Sequence, residues 1–313
     1  MSKKTDELKS KLKDPDKETP RTDHIISGLL HGGKFRVALV NATDSVREAQ
    51  RRHTLDPLTT IALGRGLVCA ALSGSSLKNQ FEYISLSFQG DGPIRTINAE
   101  FIAPSSLRGF VGVPQLSSVI GENDPVPEFV GEALGAGTLT VRRSLDKGTP
   151  YTGVCEIKSG EIAEDMAHYY LESEQIPTSL IAGVRLDKNG FVTGAAGLLI
   201  QKMGSLEDEE ANEILDQIEE NLRSHMAISR EVSEGKTIEQ IAEAIFGEGQ
   251  GELLESRPIG YRCFCSKDRM QVGLLQLKYE ELVELEKEQG KITTTCHYCG
   301  ESYDFKAEEF KKH

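Results

Sequence analysis

The residues best suited to chemistry lie near the C-terminus: Cys263-Phe264-Cys265 and, thirty residues later, Cys296-His297-Tyr298-Cys299-Gly300. Two close thiol pairs brought together by a loop supply the four-coordinate tetrahedral shell of a structural zinc site, with Zn–S distances of ~2.3 Å. Gly300 suits such a knuckle, because amides after the second cysteine can point at sulfur and glycine tolerates the positive φ involved. Cys263, Cys265, Cys296 and Cys299 are therefore the expected ligands of one Zn2+ per chain, with His297 a lesser candidate. The first pair, CxC instead of the commoner CxxC, departs from an ordinary zinc ribbon. Zinc thiolates remain oxidisable, and both spacings allow the Cα separation a disulfide needs, so the spacing fits a static ribbon or a redox switch. Cys69, inside Leu67-Val68-Cys69-Ala70-Ala71-Leu72, and Cys155, in an expected strand, read as buried, inert hydrophobes.

These ligands need a scaffold. A helix over 279–289 stopped by Gly290, a strand over 292–295 leading into the CxxC, and a returning strand carrying Tyr303 and Phe305 make 257–313 a small zinc-binding domain. With so few apolar residues, much of its folding free energy would come from the metal, on the order of 10 kcal/mol. Residues 23–204 read as an α+β core domain of helices and antiparallel strands. A strand through Ile84, Leu86 and Phe88 turns at Gly90-Asp91-Gly92-Pro93 and returns over 94–101. Further strands are expected at 107–113, 138–142, 153–158, 184–186 and 195–201, closing into one antiparallel sheet system, with amphipathic helices over 58–72 and 162–173.

The 313 residues carry 36 Lys and Arg against 49 Asp and Glu, a formal charge of -13. Residues 205–256 alone hold 15 acids and 3 bases. This segment reads as an acidic helical linker. Ile214, Leu215, Ile218, Leu222 and Met226 form one helical stripe, and a capping box at Thr237 and Gln240 opens a second helix with Ile238, Ile241, Ala242, Ile245 and Phe246 on one face. Like charges at helical spacing repel, so the order of these helices must come from docking. Gly247, Gly249 and Gly251 mark a hinge after them, and residues 1–22 read as a charged, solvated tail.

The acidic balance argues against nucleic acid or an anionic membrane as partner. No run of 18 apolar residues predicts a transmembrane helix, and the N-terminus has no apolar signal region, which together suggest the cytoplasm. A thiol oxidoreductase using Cys296 and Cys299 and a zinc-ribbon nucleic-acid-binding protein are the competing classes. The first wants a thioredoxin-like context and the second a basic face, whereas 257–313 has ten acids and ten bases. Gly235-Lys236-Thr237 lacks the first glycine of a phosphate loop, since Arg230 stands there.

From about Ile25 to Phe305 the chain resembles the redox-regulated heat-shock chaperonins of roughly thirty-three kilodaltons. The resemblance rests on the CxC and CxxC pairs, on Phe88-Gln89-Gly90-Asp91-Gly92-Pro93, on Tyr170-Leu171-Glu172-Ser173-Glu174-Gln175-Ile176-Pro177-Thr178, and on Ala195-Ala196-Gly197-Leu198-Leu199-Ile200-Gln201. It implies an ATP-independent holdase and no enzyme. The reduced, zinc-bound form would be inactive; oxidation would pair Cys263 with Cys265 and Cys296 with Cys299, release zinc, and unfold the zinc domain and then the linker. The active form would be a homodimer holding unfolded clients for an ATP-dependent chaperone of the seventy-kilodalton class. The linker's apolar face, kept docked by the zinc domain, would then become available to clients, while its carboxylates keep the opened chain soluble.

Overall fold

A helix that is apolar over most of its circumference needs cover on nearly every side, and that requirement shapes the larger part of this protein. The computed structural model describes residues 23–80, 82–121, 125–144, 150–204, 209–247 and 254–311; the N-terminal tail and the glycines at 249 and 251 lie outside them. The chain forms two compact units, Met1–Tyr261 and Arg262–His313.

In the first unit, one sheet has the order β10 (Glu255–Pro258), β1 (His24–Leu30), β2 (Phe35–Asn41), β9 (Val192–Lys202) and β8 (Thr178–Leu186). A second has the order β11 (Gly260–Tyr261), β5 (Ser106–Val111), β4 (Thr96–Ile102), β3 (Tyr83–Gly90), β6 (Gly137–Ser144) and β7 (Tyr151–Glu156). The expected hairpin is the β3–β4 pair, with Ile84 opposite Phe101 and Phe88 opposite Ile97. The expectation of one antiparallel system is corrected on two points: there are two sheets, and β11 joins β5 in parallel.

The reason for two sheets is helix α2 (Pro57–Ser73), which follows α1 (Thr43–His53). Expected to be amphipathic, α2 instead buries Thr59, Leu63, Gly66, Leu67, Cys69 and Leu72 around its circumference, packing on β4 and β5 of one sheet and β8 and β9 of the other. By length and composition this helix, with the turn that follows it, could cross a membrane, but most of it is buried in the core. Gly64 permits the close approach: a Cβ there would lie 2.6 Å from Val184 Cγ2 and 2.8 Å from Val46 Cγ1. Asp56 caps the helix, accepting from the Thr59 amide at 2.9 Å, with Pro57 at the first position. Two further helices, α3 (Val130–Leu134) and α4 (Ala163–Ser173), complete this layer.

The acidic segment folds onto the outer face of the first sheet as α5 (Glu209–Arg223), α6 (Ile228–Ser233) and α7 (Ile238–Phe246). Strand β2 turns Ala38 and Val40 toward α2 and Val37 and Leu39 toward these helices. On the acidic helices Ile218, Leu222, Ile238, Ile241, Ala242, Ile245 and Phe246 are buried in that second core, with Ile214 and Leu215 partly so. Met226 lies past the end of α5 and is exposed. The capping box forms as expected: Thr237 Oγ1 accepts from the Gln240 amide at 3.3 Å and Gln240 Oε1 from the Thr237 amide at 3.0 Å. His24 Nε2 and Glu239 Oε1, 2.8 Å apart, join α7 to β1. Residues 255–261, which the sequence reading divides between linker and zinc segment, pair with β1 and β5 of this unit.

The second unit contains α8 (Lys267–Leu274), α9 (Tyr279–Gln289) and a hairpin of β12 (Ile292–Thr295) with β13 (Ser302–Phe305). Gly290 ends α9 in the left-handed region at φ 76°. Its core is small, with Leu282, Ile292, Phe305, Ala307 and Phe310 as its buried members.

Candidate metal centre

Two short turns position the sulfurs. Cys263 and Cys265 precede α8, which is capped by Ser266, whose side chain accepts from the Arg269 amide; the Arg269 guanidinium in turn donates to the Phe264 carbonyl at 2.7 Å. Cys296 and Cys299 sit in the tight connection of the β12–β13 hairpin. There the Cys296 amide donates to Glu301 O and the Gly300 amide to Cys296 O, both at 2.8 Å. Gly300 has φ 72°, the conformation for which glycine was expected. The Tyr298 amide donates to the Cys296 sulfur and the Glu301 amide to the Cys299 sulfur.

All four Sγ atoms lie within 4.8 Å of one another, with Cys263 to Cys296 at 3.6 Å and Cys265 to Cys299 at 3.3 Å. A tetrahedron of sulfurs ~2.3 Å from a central ion has edges of about 3.8 Å, so the cluster is of the right size and softness for a zinc-like cation. Cys296 and Cys299 are buried, while Cys263 and Cys265 are half-buried. His297 is exposed and stands outside this four-atom group.

Without a cation, burial and the neighbouring sulfurs push the Cys299 thiol above its ordinary range, and burial raises Cys296 despite the amide from Tyr298. Burial also opposes ionisation of Cys265, but hydrogen bonds from the Tyr303 hydroxyl and the other sulfurs outweigh it and lower that thiol. The buried sulfurs thus favour their neutral form until a positive charge stands among them. The contact of Tyr303 Oη with Cys265 Sγ, at 3.2 Å, was not foreseen from the sequence. Nothing in local spacing signals a bond that spans 38 residues.

The remaining thiols lie outside this cluster. Cys69 is fully buried in α2, and burial raises its thiol far above neutrality. Cys155, expected to be buried, is only half so, because β7 is an edge strand of its sheet; burial still raises its thiol.

The model of the family described as Hsp33 protein matches residues 23–306. The chain belongs to the Hsp33 family. A 33 kDa chaperonin of Desulforamulus reducens is 34% identical, over 93% of this chain and 96% of its own length. One from Bacillus subtilis is 34% identical over 92% and 97% respectively. The crystal structure of the Hsp33 homologue from Thermotoga maritima superposes with a TM-score of 0.80 at 31% identity, covering 93% of this chain and 97% of that one. The α+β architecture of this chain is therefore that of an Hsp33 chaperone, and its four-cysteine cluster is one that can hold a metal ion.

Proposed function

We propose that this protein is a redox-regulated, ATP-independent holdase whose switch is the four-cysteine centre. The observation that carries the reading is a pairing of weak points. A unit whose core has five buried members among the described residues gathers four thiols in one cluster, and an acidic helical segment depends for its order on a docked apolar face.

In the reduced state Cys263, Cys265, Cys296 and Cys299 hold Zn2+, which supplies the cross-link that the small core cannot. Peroxide then takes two electrons from each of two cysteine pairs, forming Cys263–Cys265 and Cys296–Cys299 disulfides while each peroxide is reduced to two waters. In the cluster the Sγ contacts at 3.3 and 3.6 Å run between the pairs, so this pairing rests on the chain-local closure of CxC and CxxC. With its ligands gone the unit loses its fold, and the acidic helices come off the outer sheet face. Ile218, Leu222, Ile241 and Phe246 are then free to engage unfolded clients, and the carboxylates beside them keep the opened segment solvated. The active species is a homodimer in the cytoplasm that passes clients to an ATP-driven chaperone of the seventy-kilodalton class. No catalytic turnover is assigned to it.

The test compares reduced and peroxide-treated full-length protein, with zinc content and suppression of client aggregation measured in the absence of ATP. One zinc per chain is expected in the reduced form, lost on oxidation under mild heat, with suppression only after the loss. Equal suppression by reduced, metal-loaded protein would remove the switch.

A further inference from the structure

At the C-terminal end of α2, where the two sheets of the first unit meet, basic side chains converge from four places in the sequence. Arg36 comes from β2, Arg257 from β10, Arg143 from β6, and Lys78 from the turn after α2. A cavity of about 590 Å³ opens there, lined by Arg36, Lys78 and Arg257 together with Ser75 and Ser76, and with one carboxylate, Glu255, also in its wall. Arg36 donates to Ser75 Oγ at 2.8 Å and to Gln201 Oε1, and Arg143 to Ser76 Oγ at 3.2 Å. Arg257 donates to the carbonyls of Gly74, Ser75 and Leu77 and stacks on the Phe101 ring at 5.3 Å.

Every one of these partners is neutral. Among the described residues none of the three arginines forms an ion pair, and the Nε atoms of Arg143 and Arg257 are buried without a hydrogen-bond partner. The carbonyls at the end of α2 offset some of the charge, but a helix C-terminus amounts to roughly half a negative charge. Two carboxylates lie in the neighbourhood. Glu174 acts on Arg36 from a distance, and Glu255, 84% exposed, reaches Lys78 at 4.0 Å and favours the charged form of Arg257. Burial lowers the Arg257 guanidinium, and Arg36 beside it lowers it further. Arg36 and Arg257, held by neutral acceptors in the wall of an open cavity with Lys78, lack one component, an anion that takes several donors at once.

We propose that this cavity binds a phosphate group, as free phosphate or as the phosphate of a small organic molecule. Serine hydroxyls and forked guanidiniums match the several acceptor oxygens of that group, and the space beside them exceeds what one phosphate fills. Since β10 carries Arg257 and Glu255, occupancy also ties that strand to the turn after α2.

The experiment titrates the reduced full chain by calorimetry with inorganic phosphate, pyrophosphate and ribose 5-phosphate, at constant ionic strength in chloride. Saturable 1:1 binding is expected for at least one probe. It should be weakened about tenfold by Arg36→Gln and about threefold by Lys78→Ala, and strengthened by Glu255→Gln. Lys78 and Glu255 are surface side chains, 76% and 84% exposed, so those two variants retain the fold even where the arginine variant does not. Stronger binding of the inorganic ions assigns the site to free phosphate, and stronger binding of ribose 5-phosphate to a phosphorylated metabolite. Absence of saturable binding by all three probes, or binding indifferent to both surface substitutions, overturns the proposal.

Discussion

Asp23 immediately precedes β1 with its carboxylate inside the protein, where Oδ1 accepts from the Asp44 amide at 2.9 Å and Oδ2 from the Ser45 amide at 2.6 Å. It thereby caps α1 from another element. Burial pushes its acid up to about 6 from 3.8, against the lowering by these bonds and the Ser45 side chain. Between those values the folded chain keeps a proton that the unfolded chain has released, so this group's contribution is full below 3.8 and is lost as pH rises through about 6. Denaturant unfolding across that range should show a downward slope of stability with pH that Asp23→Asn flattens. The cysteines make a second prediction at this scale. Cys299→Ser should abolish stoichiometric metal binding and leave 262–311 unfolded in the reduced protein, as read by metal analysis and amide spectra. The thiol cluster was legible in the sequence because its geometry follows from two local turns and their spacing. Asp23 and Tyr303 were not, because their partners lie 21 or more residues away and only the tertiary fold brings them together.

The same distinction holds for the elements. The β3–β4 hairpin, α7 with its capping box, and α9 with its terminal glycine carry their instructions within a few residues of themselves. Strands β1 and β2 went unread because both faces of β2 are buried, Val37 and Leu39 on one side and Ala38 and Val40 on the other, which erases the two-residue alternation. Strand β8 was expected only over 184–186 because its residues are nearly all half-buried, with no polar face to contrast. The docking of α7 gives the element-scale prediction. Thr237→Ala removes a cap and should cost about 1 kcal/mol, whereas Ile241→Ala, at a fully buried position, should cost about 2–5 kcal/mol. Hydrogen exchange of α7 should rank the two in that order. Under the proposed mechanism Ile241→Ala should also suppress client aggregation without oxidant, because it loosens the helix that oxidation is meant to release.

For the molecule as a whole, two units with unequal cores mean two unequal stabilities. A thiol-competent chelator added to reduced protein should melt 262–311 while the amides of β2, β4 and α2 stay protected, which hydrogen exchange resolves segment by segment. The overall charge of -13 places most of its excess over 205–256 and so on helices whose opposite face is apolar. Strand β10, which follows them, covers one side of β1 from His24 to Ser27. If the acidic segment leaves and takes β10 with it, β1 becomes the unprotected margin of a five-stranded sheet reduced to four, with a row of backbone donors and acceptors facing solvent. Such a margin pairs with any extended chain regardless of its side chains, so opening would add main-chain recognition to apolar capture.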